Sequence, residues 1–291
     1  MEHNFNILMA TDYSKSAGNA ERYAVQFSKA TQSTIRFVHI FEPQLAGYTA
    51  TFDAEKIDYN PLQYEFSKLN EHVTKLLDSL NIKPGELNCQ CIIREGINIR
   101  KQLLDEAAES KTDLIITGTH GVSELREMMF GGHTWKIIKN TNIPLLAIPE
   151  NASYSEIKKI VFATEYRKNE ILSIKLLTQI AKKFNAEITV LHITNFVLPE
   201  EFENKIFENF KSELKDKITY DKLNIHLKHH YSIIDGLNDY CKLKKANWLV
   251  MSPERLSLID KILNPADIST TKHMSSHTKV PLFIIPEFKH S

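Results

Sequence analysis

Gly118, Gly121 and Gly131, followed at once by Gly132, His133 and Thr134, are the residues of this chain best suited to hold an anion. The apolar run Leu114-Ile115-Ile116-Thr117 ends in Gly118. Glycine lets the main chain turn sharply and brings its N–H groups close to a ligand, where a Cβ would intrude. Gly131 and Gly132 open a predicted helix, His133 to Asn140, that carries Trp135 and Lys136. A helix N-terminus offers free N–H donors and a partial positive charge, which suits phosphate. Thr134 adds a hydroxyl donor or caps the helix. The spacing is neither a Walker A loop, which needs Gly-Lys-Ser/Thr, nor the Gly-x-Gly-x-x-Gly dinucleotide fingerprint. Plain turns and a helix entry would use the same glycines, so the residues alone leave both readings open.

The elements that position them occur twice. Asn6-Ile7-Leu8-Met9-Ala10-Thr11-Asp12-Tyr13 returns as Lys159-Ile160-Val161-Phe162-Ala163-Thr164-Glu165-Tyr166, and Ile143-Pro144-Leu145-Leu146-Ala147-Ile148-Pro149-Glu150 returns as Val280-Pro281-Leu282-Phe283-Ile284-Ile285-Pro286-Glu287. The repeat predicts two domains, 1–150 and 151–291, each long enough to bury its own core. Short apolar runs predict strands at Phe5–Ala10, Thr34–Phe41, Asn88–Arg94, Asp113–Gly118 and Pro144–Ile148. The matching runs are Lys158–Ala163, Ala186–Ile193, Ile225–Tyr231, Trp248–Met251 and Pro281–Ile285. Helical patterns alternate with them, which predicts parallel sheets with right-handed crossovers. The expected fold class is α/β: two tandem doubly wound domains, each with a five-stranded parallel sheet. Such sheets bind ligands beyond the carboxyl ends of their strands. Phe41 to Asn60, the longest irregular stretch, follows the second strand and would overhang that edge as a loop or a flap.

Composition narrows the partners. Lys+Arg 36 against Asp+Glu 36 gives no net field toward nucleic acid or an acidic membrane. No apolar run is long enough to cross a bilayer, and the first residues lack a signal-peptide pattern. Three cysteines make no disulfide framework, so the expected location is cytoplasmic. Cys89-Gln90-Cys91 puts two thiols on one strand face and reads as core packing, because further metal ligands are missing. His229-His230 points to opposite faces, poor geometry for chelation. No Gly-x-Ser-x-Gly elbow supports a hydrolase triad. On the predicted helix Pro199–Tyr220, the stripe Phe202, Ile206, Phe207, Phe210, Leu214 and Ile218 reads as core.

The chain resembles the universal stress protein family in a tandem form. Gly118, Gly121 and Gly131 match the family's nucleotide motif, Gly-x2-Gly-x9-Gly-Ser/Thr. Ala10-Thr11-Asp12-Tyr13-Ser14 resembles the end of its first strand, whose Asp lies against the nucleotide; capping the next helix is the alternative for Asp12. Phe37-Val38-His39-Ile40 resembles the second strand, whose backbone meets adenine. The resemblance implies an adenine nucleotide alpha-hydrolase-like fold. It implies ATP or a related adenine nucleotide, with Mg2+, held by Ala10, Thr11, Asp12, Ile40, Gly118, Gly121, Gly131, Gly132, His133 and Thr134. Members of this family pair through their last strands, which in a fused chain implies an internal pseudo-two-fold dimer. There are departures: Gly132 stands where the family's ATP binders have Ser or Thr, Val122 follows Gly121, and Glu124 sits near the phosphate path. In the second repeat Pro253, Arg255 and Pro265 stand in the glycine region, and Pro253 has no N–H to offer. Nucleotide is therefore expected in the first half alone. Three roles follow: a nucleotide-responsive stress regulator with unknown protein partners, an interaction scaffold without nucleotide, or a slow ATPase, the last by fold analogy only.

Overall fold

The computed structural model describes residues 5–42, 60–118, 143–195, 199–252 and 280–286. The predicted helices His133–Asn140 and Ile268–His277, and most of the stretch Phe41–Asn60, lie outside them.

In the first half the elements are β1 (Asn6–Ala10), α1 (Lys15–Thr31), β2 (Thr34–Phe41), α2 (Pro61–Ser79), β3 (Cys89–Glu95), α3 (Ile99–Glu109), β4 (Leu114–Gly118) and β5 (Leu145–Ile148). The second half supplies β6 (Lys159–Ala163), α4 (Glu170–Phe184), β7 (Glu187–Thr194), α5 (Glu200–Lys217), β8 (Leu223–His229), α6 (Ile233–Lys244), β9 (Trp248–Met251) and β10 (Leu282–Ile284). The predicted strands appear, shifted at their ends by up to two residues. The core strands are short and apolar because helices cover both faces of the sheet.

The strands form one sheet of ten, in the order β3-β2-β1-β4-β5-β10-β9-β6-β7-β8. All neighbours run parallel except β5 and β10, which pair antiparallel with Phe283 opposite Leu146. The two expected five-stranded sheets are joined edge to edge through their last strands, the pairing that the resemblance implies. That junction removes two exposed strand edges. The order β3-β2-β1-β4-β5 recurs as β8-β7-β6-β9-β10 on the other side of it.

One apolar cluster runs through both sides. Trp248 of β9 is 1% exposed and packs on Phe27 of α1, Phe184 of α4 and Phe283 of β10, with ring centroids 5.8, 5.8 and 5.3 Å away. Its indole N–H donates to the Tyr23 hydroxyl at 2.9 Å. Asn19 Nδ2 donates to the carbonyls of Pro149 and Ala152, 2.8 Å each, and ties α1 to the connecting segment.

Two glycines, one after β3 and one within α6, differ in what surrounds them. A Cβ on Gly96 would meet Gln102, while a Cβ on Gly236 would meet His230 Cβ and Ile193 Cγ2, both at 2.9 Å. Gly236→Ala is expected to cost about 1–3 kcal/mol, because backbone and a packed isoleucine must shift. Gly96→Ala meets only the Gln102 side chain, which can swing aside, and should stay within about 0.5 kcal/mol. Urea denaturation of the two variants checks the contrast.

Candidate functional site

β1 lies between β2 and β4, so the crossovers leave it in opposite directions. The strand order reverses at β1 and β4, and the crevice position beyond their carboxyl ends is where open parallel sheets take ligands. Met9 is level with Ile116, and the same register sets Thr11 beside Gly118. The structure thus brings Ala10, Thr11 and Gly118 to one edge, each buried. Gly118 is the last residue of β4 and keeps a strand backbone with no positive φ. The sequence assigns it a sharp turn; it stays in the strand, beside Thr11. Gly121, Gly131, Gly132, His133 and Thr134 lie outside the described residues.

Ile40 brings β2 to the same edge. Thr34 N–H donates to Phe5 O and Val38 O accepts from Thr11 N–H, so the even residues of β2 turn their main-chain groups toward β1. Ile40 continues that alternation one step past the last ladder bond. Its N–H and C=O therefore face the space beyond the end of β1, and no partner for them occurs among the described residues. An adenine edge, which carries a donor beside an acceptor, matches such a pair.

The turn after β1 differs from the helix-cap reading of Asp12. Ser14 is the N-cap of α1, its hydroxyl accepting from Ala17 N–H at 3.1 Å. Asp12 Oδ1 accepts from Ser14 N–H at 2.9 Å, an Asx turn that aims the chain into the helix. Tyr13 sits between them at φ 60, in the left-handed region. The second half repeats the left-handed tyrosine with Tyr166 at φ 62, while Asn169 at the N-cap of α4 makes no side-chain cap bond.

Behind the edge lies a polar array that sequence patterns miss. Glu21, 1% exposed, accepts a short hydrogen bond from the Thr11 hydroxyl. The same Thr11 oxygen accepts from Tyr13 N–H at 3.1 Å. The other Glu21 oxygen meets His72 Nε2 of α2 at 2.8 Å. His39 Nδ1 donates to the Thr11 carbonyl at 2.9 Å, and its Nε2 faces Glu65 at 3.8 Å. Tyr13 packs against both histidines, with Lys68 Nζ 4.7 Å over its ring. The one available signal is Glu21 itself, a carboxylate among Ala17, Ala20 and Ala24 on the buried face of α1.

The two histidines titrate oppositely. The hydrogen bond to Glu21 raises the pKa of His72, while burial lowers that of His39. A raised value means that the His72–Glu21 pair contributes fully below the ordinary 6.5 and is lost as pH rises through the raised value. His39 works the other way: acidification through 6.5 charges it in the unfolded chain first and destabilises the fold. His72→Phe is expected to remove the gain on acidification and expose the opposing slope. Urea midpoints across roughly pH 5.5 to 8 read the change.

The second half keeps the array's outline with apolar filling. Thr164 donates to Glu170 at 2.6 Å, His192 Nδ1 meets the Thr164 carbonyl at 2.8 Å, and Tyr166 stacks on His192 at 4.2 Å. Where Tyr13 meets His72, Tyr166 meets Phe210. Pro253, Arg255 and Pro265 lie outside the described residues. Cys89 and Cys91 pack against the core, as the sequence predicts. Among the described residues no cluster of His, Cys, Asp and Glu is placed to hold a metal, and no helix is long and apolar enough to cross a membrane.

Known proteins agree with this architecture. Universal stress protein MJ0577 of Methanocaldococcus jannaschii is 24% identical over 161 residues, 50% of this chain and 96% of its own length. Universal stress protein YxiE of Bacillus subtilis is 22% identical over 143 residues, 49% of this chain and 97% of its own. A universal stress protein from Archaeoglobus fulgidus, 12% identical, superposes with TM-score 0.61 over 98% of this chain and 97% of its own; at that identity it shows the fold alone. The sequence profile of the Universal stress protein family matches residues 3–149, the half that carries Thr11, Ile40 and Gly118. The chain therefore belongs to the universal stress protein family.

Proposed function

We propose that this protein is a cytoplasmic stress-response regulator that binds an adenine nucleotide, ATP or a relative of it with Mg2+, in its first half. The observation that carries the reading is the Ile40 main-chain pair, turned toward the space beyond the end of β1, where the strand order reverses. The adenine would lie against Ile40 and the ribose beside Asp12. The phosphates would run past Gly118 toward Gly121, Gly131, Gly132, His133 and Thr134, with Arg126, Lys136, Mg2+ or the helix dipole to offset their charge. Domains 1–150 and 151–291 would pack as a pseudo-two-fold pair. The mirrored strand order about β5 and β10 supports that arrangement. Nucleotide binding would then tune contacts with protein partners.

Calorimetric titration with ATP, ADP and AMP in the presence of Mg2+ tests it. Saturable heat is expected for at least one of them. Gly118→Val puts a branched side chain at this edge beside Thr11 and should weaken binding more than tenfold, about 1.4 kcal/mol, with circular dichroism unchanged. No heat at millimolar ligand, or equal affinity in the variant, refutes the site. Gly132, Val122 and Glu124 favour a second reading, an interaction scaffold without nucleotide, since they remove a hydroxyl donor and add a carboxylate near the phosphates. Acid extraction of freshly purified protein separates the two: adenine nucleotide in the extract supports the first, and none supports the scaffold.

A further inference from the structure

The far edge of the sheet carries a groove that the nucleotide reading does not use. Among the described residues β8 is the outermost strand and pairs only with β7. Ile188 N–H donates to Lys222 O and His230 N–H to Thr194 O, each at 2.9 Å, so the even residues of β8 serve that ladder. Ile225 and Leu227 therefore turn their N–H and C=O outward, and these groups have no partner among the described residues. α5 runs beside this edge. Between them lies a groove of about 510 Å³, lined on the helix by Asn204, Phe207 and Glu208 and on the strand by Ile225, Leu227 and His229. Phe202 and Ile206, exposed at 63% and 43%, continue the apolar surface along α5. The sequence assigns both to the core; only Phe210, Leu214 and Ile218 of that stripe are buried.

We propose that this groove binds an extended peptide segment of a partner protein as an added strand on β8, one in which apolar and acidic residues alternate. The pattern follows from the two faces of a strand. Residues facing α5 would enter the groove against Phe207, Ile225 and Leu227. Residues on the other face would lie beside His226, whose ring is held by the Tyr240 hydroxyl at 2.6 Å, and beside Lys228 and Lys244 near it. β8 holds no acidic residue, and Glu208 in the groove is already paired with Lys211 at 2.8 Å. A second copy of the chain would bring Lys228 of one β8 against the same basic strand of the other, with no carboxylate on either to pair with it, which like-charge repulsion disfavours. The other sheet edge lacks this character: on β3, Arg94 folds back onto Glu106 and Glu109, and the strand ends in Glu95.

Fluorescence polarisation with a labelled Val-Asp-Val-Asp-Val-Asp-Val peptide tests the proposal on the full chain, without nucleotide, so the outcome is independent of the first-half site. Saturable binding is expected, with weaker binding of the Val-Lys counterpart. Leu227→Pro removes an outward N–H and leaves the β7 ladder intact, and should weaken binding about fivefold to tenfold. Lys228→Glu should invert the preference between the two peptides. If Leu227→Pro disturbs the circular dichroism, peptides N-methylated at successive positions make the same deletion from the ligand side. Absent saturation, equal affinity in Leu227→Pro, a preference for the Val-Lys peptide, or self-association in sedimentation velocity that Leu227→Pro abolishes would each overturn the proposal.

Discussion

Trp248→Ala is expected to lower the unfolding free energy by about 3–5 kcal/mol, the range for truncating a fully buried aromatic. The side chain is 1% exposed and touches α1, α4 and β10, so no single neighbour can collapse into the space it leaves. Its N–H also holds the Tyr23 hydroxyl of α1, from the other half of the sequence. Removing the indole leaves that hydroxyl buried without its donor. Trp248→Phe separates the two effects, because it keeps most of the packing and loses the hydrogen bond, at about 1 kcal/mol. Tyr23→Phe should cost a similar amount alone and add little to Trp248→Phe, since both remove the same bond. Calorimetry on the whole chain should show one transition that moves down as a unit, because the apolar cluster is shared by both halves. Two separate transitions, with only one shifted by Trp248→Ala, would mean that the halves unfold independently and that this contact joins nothing.

The parts of the fold legible in the sequence are those written in periodicity. Unbroken apolar runs such as Leu114–Thr117 and Trp248–Met251 mark strands covered on both faces, and the repeated Thr-x-Tyr ending of β1 and β6 marks equivalent turns. The junction of β5 with β10 follows from the resemblance rather than from any residue pattern, because an apolar strand does not name its neighbour. Gly118 is legible as the end of β4, an apolar run closed by a glycine, although its main chain stays extended; the rest of this edge is illegible, because geometry does the selecting. Ile40 is an ordinary strand isoleucine; what distinguishes it is that β1 ends one ladder step before it. Ser14 rather than Asp12 caps α1 because Tyr13 takes a left-handed conformation between them, which no propensity foresees for a tyrosine. The α5 stripe is misread because a 3.6-residue period shows that one face is apolar, not how far along the helix the sheet extends to cover it.

Glu21→Ala should be nearly as damaging, at about 3 kcal/mol, because removing one member of a buried pair strands the others. Thr11 would lose the acceptor of its hydroxyl and His72 its counter-charge. The second half supplies the compensating design. Counting from Thr11 and Thr164, Glu170 occupies the place of Ala17, and Ile174 that of Glu21. Each half therefore delivers one carboxylate to the same threonine, from helix positions one turn apart. Adding Ala17→Glu to Glu21→Ile should restore the partner of Thr11 and recover at least half of the lost stability. It should not restore the partner of His72, so the rise in stability on acidification should stay absent, as in His72→Phe. Urea denaturation at two pH values reads both outcomes. A double variant no more stable than Glu21→Ala would show that the carboxylate must also reach His72. The link from Thr11 to the edge is short, because the same hydroxyl oxygen accepts from Tyr13 N–H and fixes the turn that carries Asp12. Under the nucleotide reading, Glu21→Ala should therefore weaken ATP binding and the double variant should regain it, although neither residue touches the crevice.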